Sequence, residues 1–361
     1  MGKSAVKGLF YICLIAATFV LATITIVAAF SGNMAPVDSV IMPLLGLAVP
    51  VLLIANLITA LCWALARKRW ALVPLVAFFC NWGYLTSVFQ LHLPKDKTPA
   101  GKYLKIATYN IHNFGGEITG YSCKEIARYM QQEGVDVLCF QEFGDNSDFP
   151  TDSIRRVLSH WSHALIPSED SVKGVLPIAV FSRYPLANHR FITYQHSSNC
   201  SMMCDVVMGT DTIRLINNHL QTTSVSQKRR KWERELATDD TRREVQAAKD
   251  AAGTLHENFM KRATQTYVIS HYAKTSPYPV LLCGDFNSIP SSYTYHHLRK
   301  TLKDGFRIAG NGYMYTYRYA KRMLRIDYIF HSPSLKGIAY YSPDLDLCSD
   351  HNPVIMEVEI Q

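Results

Sequence analysis

Apolar and polar positions follow two different rhythms along this chain, and the change falls near residue 98. Residues 8–30, GLFYICLIAATFVLATITIVAAF, form one uncharged apolar run; residues 40–66 and 70–91 form two more, separated by Arg67-Lys68-Arg69. Each has the length, about 20 residues, that a helix needs to cross roughly 30 Å of hydrocarbon. Pro43, Pro50 and Pro74 lie inside the later runs, where membrane helices tolerate proline because neighbouring groups re-satisfy the freed backbone. The pattern predicts a membrane anchor over residues 1–93 with three transmembrane helices. A signal peptide is disfavoured, since its apolar core is roughly 7–15 residues and no further spans would follow. A buried soluble hairpin is disfavoured by three successive uncharged runs.

Residues 94–102, PKDKTPAGK, are polar and punctuated by Pro and Gly, a linker by composition. From residue 103 to 361 short β-rich runs alternate with helical patterns. The strand-like runs are LKIATYNI at 104–111, VDVLCFQE at 135–142, IAVFS at 178–182, TIRLINNHL at 212–220, PVLLCGDF at 279–286, RIDYIFHS at 325–332 and PVIMEVEI at 353–360, with a helix near 122–133. Apolar, β-branched runs that end in polar residues describe strands buried between helical layers, so the fold class is α/β with a large mixed sheet. Val245, Ala248, Ala252, Leu255, Phe259, Ala263 and Tyr267 recur at three- or four-residue spacing and predict the buried stripe of an amphipathic helix.

Charge alters this picture in one respect. The first 93 residues hold five basic side chains (Lys3, Lys7, Arg67, Lys68, Arg69) and one acid (Asp38), so four of the eight net positive charges sit beside the apolar runs. The basic pI is therefore weak support for nucleic-acid binding. Basic loops stay cytoplasmic; with three spans, Lys3, Lys7 and Arg67–Arg69 fall on one side and the C-terminal domain on the non-cytoplasmic side, although Lys95, Lys97, Lys102 and Lys105 pull the other way. The run Gln227-Lys228-Arg229-Arg230-Lys231-Trp232 could touch phosphates or anionic headgroups, but Glu233, Glu235, Asp239 and Asp240 follow at once, which favours a solvated segment. Nine cysteines show no metal-site spacing; Cys200 and Cys204 are either a local disulfide or two free thiols.

Polar residues gather where the predicted strands end. Asn110 ends the first, Glu142 the second and Asn218-His219 a later one; Gly284-Asp285-Phe286-Asn287 follows PVLLC, Asp327 lies inside RIDYIF, and Ser349-Asp350-His351 precedes the last strand. Carboxylates and amides suit a hard cation such as Mg²⁺, whereas the absence of cysteine and the paucity of histidine disfavour zinc. An unpaired buried carboxylate is costly, so Asp327 needs a partner.

The order TYNIHNF, VLCFQEF, FSRYPL, NNHLQ, GDFNSIPSS, RIDYIF, SDHNPV resembles the endonuclease/exonuclease/phosphatase superfamily, the deoxyribonuclease I-like fold, over about residues 103–361. The resemblance implies a four-layer α/β sandwich, two packed mixed sheets flanked by helices, that hydrolyses phosphoesters with Mg²⁺ or Mn²⁺. Carried over by motif, it implies that Glu142 is the principal metal ligand, with Asn110 and Asp350 also at the metal. Asp285 and Asn287 would position water and phosphate. His351, oriented by Asp327, would contact the phosphate or act as base, and His219 would stabilise charge or protonate the leaving oxygen. Two departures disfavour the abasic-site repair branch: Asn218-His219-Leu220-Gln221 stands where that branch has Tyr and a Pro-Asn pair, and His112 stands where it has Asp or Asn. The expected activity is that of a membrane-anchored phosphodiesterase on a phospholipid or other small phosphodiester. An extracytoplasmic endonuclease or exonuclease on DNA or RNA is the alternative, and an inactive membrane scaffold a more distant one.

Overall fold

The computed structural model describes residues 3–93, 101–167, 174–223 and 241–360. Most of the 94–102 linker, the basic run after Gln227 and the acids that follow it lie outside the described residues. The chain divides into two compact units, one of Met1–Ser87 with Ile289–His296, the other of Val88–Ser288 with His297–Gln361.

In the first unit, α1 (Lys3–Ala28) and α2 (Ile41–Leu65) are long and apolar enough to cross a membrane. Few apolar side chains can distinguish a partner helix from lipid, so polar groups do this: Trp63 Nε1 donates to Thr18 Oγ1 at 2.9 Å and Asn56 Nδ2 to Thr25 Oγ1 at 2.7 Å. The third predicted span, 70–91, is not one helix. It breaks into α3 (Leu72–Cys80) and α4 (Trp82–Val88), bent by 63°. At about 1.5 Å per residue neither piece spans roughly 30 Å of hydrocarbon alone. The break falls at buried Asn81, whose Nδ2 donates to Thr25 O and Ala77 O; the amide is turned to tertiary bonding that an apolar residue would not offer. Two single helices rather than three are therefore long enough to cross, and a third crossing requires the bent pair α3–α4 to act as one span. Segment 289–296 binds the Ser31 end of this unit: Ser31 Oγ donates to Ser291 O at 2.9 Å, Ser291 Oγ to Gly46 O at 2.7 Å, and His296 Nδ1 lies 3.2 Å from Asn33 Oδ1.

The second unit is the expected α/β sandwich of two six-stranded mixed sheets. In chain order the strands are β1 (Phe89–Gln90), β2 (Lys102–Asn110), β3 (Val137–Gln141), β4 (His163–Leu165), β5 (Ile178–Ser182), β6 (Leu186–Thr193), β7 (Cys200–Met208), β8 (Asp211–His219), β9 (Val280–Asp285), β10 (Lys303–Asp304), β11 (Gly312–Tyr313), β12 (Asp327–His331), β13 (Leu335–Tyr341) and β14 (Val354–Ile360). One sheet runs β13-β14-β2-β3-β5-β4, the other β10-β12-β9-β8-β7-β6. Only β2/β3 and β8/β9 pair in parallel within these sheets. Leu104, Ile106, Val137, Cys139 and Val180 of the first sheet pack on Cys204, Leu215, Leu281, Cys283 and Ile329 of the second. The other face of the first sheet, with Tyr109, Phe140 and Phe181, is covered by α5 (Tyr121–Gln132) and α6 (Thr151–Val157) through Ile126, Met130 and Ile154.

Two expectations change. Cys200 and Cys204 are four residues apart on the single strand β7 and are free thiols; at about 3.3 Å per residue their separation is far beyond disulfide reach. The long helix after β8, α7 (Thr241–Lys274), does not bury the predicted stripe: Val245 is 50 % and Tyr267 69 % exposed. It buries Asn258, Arg262, Gln265 and Ile269 instead. The polar members are inward because they hold irregular backbone. Gln265 Oε1 accepts from Gln221 N at 2.7 Å, Arg262 Nη1 donates to Gln221 O at 2.8 Å, and Asn258 Nδ2 to Thr223 O at 3.1 Å.

Candidate active site

Each parallel pair ends its strands together, and the two ends carry the polar residues. In the first sheet Asn110 is in register with Gln141, so Glu142 follows directly beside it; in the second, His219 is in register with Asp285 and Asp285 with Asp327. The turns that leave these strands are tight. Glu142, Asn287 and His112 all have positive φ, of 49°, 48° and 46°, a conformation uncommon outside glycine and concentrated at functional sites. Gly284 has φ +131°, and a Cβ there would lie 1.9 Å from Asn218 O. The glycine of GDFN is thus required by the approach of β8 to β9.

The side chains converge. Asn110 Nδ2 lies 3.1 Å from both Glu142 Oε1 and Asp285 Oδ2. His219 Nε2 is 3.7 Å from the same two oxygens. His351 Nδ1 meets Asp327 Oδ2 at 2.9 Å, its Nε2 faces Asp285 Oδ2 at 3.7 Å, and Asp350 Oδ1 stands 3.9 Å from that Nε2. Asn287 is turned away from the centre: its amide N donates to Asp285 Oδ1 at 2.8 Å and its Nδ2 to Leu220 O at 3.0 Å. The eight residues singled out in the sequence therefore share one end of the sandwich, with seven at the centre and Asn287 behind Asp285.

Sequence reasoning left His112 unassigned, yet its Nδ1 lies 3.2 Å from Glu142 Oε2; its place two residues after Asn110 is the signal that was available. Ser349 was noted only as a neighbour of His351. Its Oγ donates to Asn110 O at 2.5 Å and accepts from His351 N at 3.0 Å, tying the end of β2 to the segment before β14, its neighbour in the first sheet.

Electrostatics separate the groups. Burial alone would raise Glu142, but hydrogen bonds from His112 and Asn110 and the charge of His219 bring it down to about 2. Burial pushes His219 down to about 4, so it is neutral near pH 7. Burial, reinforced by Asp327, raises Asp285. For His351 burial opposes the charge, but Asp327 and Asp285 outweigh it and raise the imidazole.

This donor set fits a hard divalent cation. Four carboxylates, Glu142, Asp285, Asp327 and Asp350, surround two imidazoles of which one is neutral, a local excess of negative charge that a cation relieves. Asp285, Asp327 and His351 each offer a ligand atom within 4.8 Å of the others. His219 is fully buried, and neither ring nitrogen has a hydrogen-bond partner among the described residues. A buried imidazole with nothing bonded to it is an orphan that a bound group would satisfy.

Carboxylates, amides and imidazoles from the strand ends of both sheets thus meet at one end of the sandwich. Residues 107–351 match the profile of the Endonuclease/Exonuclease/phosphatase family, and the chain belongs to that family. Its members are generally phosphoester-hydrolysing enzymes that typically use divalent metals. Residues 9–88 match a profile described as a domain of unknown function (DUF8431). No curated protein matches the sequence. Among solved structures, an endonuclease/exonuclease/phosphatase from Bacteroides vulgatus aligns with TM-score 0.52 and 15 % identity over 72 % of this chain and 100 % of that one. TDP2 from C. elegans aligns with TM-score 0.51 and 16 % identity over 72 % and 75 %. An endonuclease/exonuclease/phosphatase from Beutenbergia cavernae DSM 12333 aligns with TM-score 0.50 and 16 % identity over 72 % of each chain. At these identities the likeness is one of fold.

Proposed function

We propose that this chain is a membrane-anchored, Mg²⁺- or Mn²⁺-dependent phosphodiesterase that acts on a phospholipid or other small phosphodiester. The observation that carries the reading is the convergence of Glu142, Asn110, Asp285, Asp327 and His351 around a fully buried His219 that has no hydrogen-bond partner among the described residues. Glu142 is the principal metal ligand, with Asn110 and Asp350 beside it. Bound there, the ion would polarise a phosphoryl oxygen and offset the charge that builds in the transition state.

The chain's own residues do the rest. Asp285, whose affinity for a proton is raised by burial and by Asp327, is a base for the attacking water near neutral pH, and Asn287 fixes its carboxylate. As the phosphorus–oxygen bond to the leaving group breaks, His351 gives its proton to the departing oxygen, and Asp327 holds the imidazole in place through Nδ1. His219, neutral, offers an N–H to the phosphoryl oxygen. The electrostatics thus support charge stabilisation, the first of the two roles expected for His219, and favour His351 as the proton donor.

Two long apolar helices in the same chain support the lipid reading of the substrate. Orientation is supported by charge. Lys3, Lys7 and Arg67–Arg69 flank the start of α1 and the end of α2, and basic loops stay cytoplasmic. With the bent pair α3–α4 crossing as one span, the chain that follows falls on the non-cytoplasmic side. The test is a side-by-side assay of the full chain in nanodiscs on phosphatidylcholine and sphingomyelin, duplex DNA, RNA and inositol phosphates. Turnover of lipid above the others supports the reading. Preferential turnover of DNA or RNA, with binding that falls steeply with salt, replaces it with the nuclease reading, and no turnover of any of them leaves the scaffold.

A further inference from the structure

Thr316 belongs to none of the motifs that mark the site, yet it is completely buried and bonded to the backbone of Asp327 and to that of Asn352, the residue after His351. Its Oγ1 accepts from the backbone amides of Ile326 and Asp327, each at 3.0 Å. Its own carbonyl accepts from the amide of Asn352 at 2.7 Å, and its amide donates to Leu324 O at 3.0 Å. The residues that follow continue the link. Tyr317 bridges to His351 and to Leu324, with its ring 5.2 Å from the imidazole in an edge-on arrangement, and Arg318 N donates to Asp350 O at 2.8 Å.

These contacts answer a geometric problem. Asp327 opens β12 in one sheet, while His351 sits in the segment before β14 of the other. No ladder hydrogen bond joins those two strands, so their 2.9 Å side-chain bond depends on whatever holds the two backbones in register. Thr316 is bonded to the first by its hydroxyl and to the second by its carbonyl.

We infer that Thr316 is a positioning residue that sets the Asp327–His351 geometry. The inference rests on the reading of His351 as the catalytic imidazole. A hydroxyl is what the place requires: two successive buried amides need an acceptor, and one oxygen with two lone pairs serves both. Valine has nearly the same shape and offers none, so it leaves both amides unpaired.

The experiment compares the full chain, in detergent, as wild type, Thr316→Val, Thr316→Ala and Thr316→Ser, with Mg²⁺ and bis-p-nitrophenyl phosphate. A misplacement of about 1 Å costs on the order of 100-fold in rate. Thr316→Val is therefore expected to lose about 10- to 100-fold in kcat, with KM changed by less than about twofold, because groups that act only in the transition state are disturbed. Thr316→Ser, which restores the acceptor, is expected to stay within about threefold of wild type in kcat. If Thr316→Val does not fold, Thr316→Ala, which removes the acceptor without adding bulk, takes its place with the same expectation. Hydrogen exchange provides a second measurement independent of catalysis: the Ile326 and Asp327 amides should exchange faster in Val or Ala than in Ser. Wild-type kcat in the Val or Ala variant, equal loss in the Ser variant, or unchanged exchange at 326–327 would each overturn the inference. A wild-type chain with no metal-dependent activity would sink the functional reading instead, and the exchange measurement would still decide whether Thr316 holds this backbone.

Discussion

Asp285 shows most clearly how function strains a single residue. It is buried, faces Asp327, and has its proton affinity raised by both. A carboxylate whose folded pKa exceeds its unfolded value costs no stability at low pH, where it is protonated in both states, and costs stability once pH rises above the unfolded value. Asp285→Asn is therefore expected to abolish activity while raising Tm by about 2–4 °C at pH 8 in EDTA, with little change at pH 4. A lower Tm at pH 8 would show that the carboxylate stabilises the fold. Glu142 has the opposite sign. Lowered to about 2, it contributes stability above its unfolded value that is lost as pH falls towards about 2, so Glu142→Gln should flatten the acid limb of a Tm-versus-pH curve. Both residues were legible in the sequence because each follows an apolar strand directly. His112 and Thr316 were not. An exposed histidine in a turn is marked only by its place two residues after Asn110, and a threonine between tyrosines by nothing, until the chain folds and brings Glu142 and Asp327 beside them.

At the scale of elements, the parallel pairs β2/β3 and β8/β9 make the site by ending together. Gly284 lets the second pair close, and its substitution is specific: Gly284→Ala places a Cβ 1.9 Å from Asn218 O at φ +131°, a clash of backbone with backbone. We expect a loss of more than about 3 kcal/mol or failure to fold, read by thermal melting; a melting temperature within a degree of wild type would refute the reason given for the glycine. Strands such as Ile178–Ser182 were readable because they are short apolar runs with clear ends. β6 was missed, as its LANHRFIT sequence is half exposed and polar. The buried side of α7 was misread for a different reason: Arg262 and Gln265 face inward to bond Gln221, and an apolar stripe cannot reveal a helix that buries donors. The third apolar run is bent rather than straight at Asn81, a single polar residue whose amide bonds Thr25 O and Ala77 O.

At the scale of the molecule, the proposed topology places both the Ser31 loop and the catalytic chain outside the cytoplasm, with Lys3, Lys7 and Arg67–Arg69 inside. A reporter active only outside the cytoplasm, fused after Gln361, should be active, and the same reporter after Arg69 silent; the inverse pattern would contradict the topology. The two long apolar helices were readable from hydropathy, whereas the attachment of residues 289–296 to the apolar unit had no sequence signal, because Ser291 and His296 are ordinary loop and helix residues. The central claim is metal-dependent phosphodiester hydrolysis at the His219–His351 crevice. Its most direct measurement is hydrolysis of bis-p-nitrophenyl phosphate by the full-length chain in detergent, with Mg²⁺ or Mn²⁺, with EDTA, and in His351→Ala and Glu142→Ala. We predict turnover that EDTA stops and the metal restores, and a loss of at least about 100-fold in each variant; turnover unchanged by EDTA, or full activity in both variants, would contradict it.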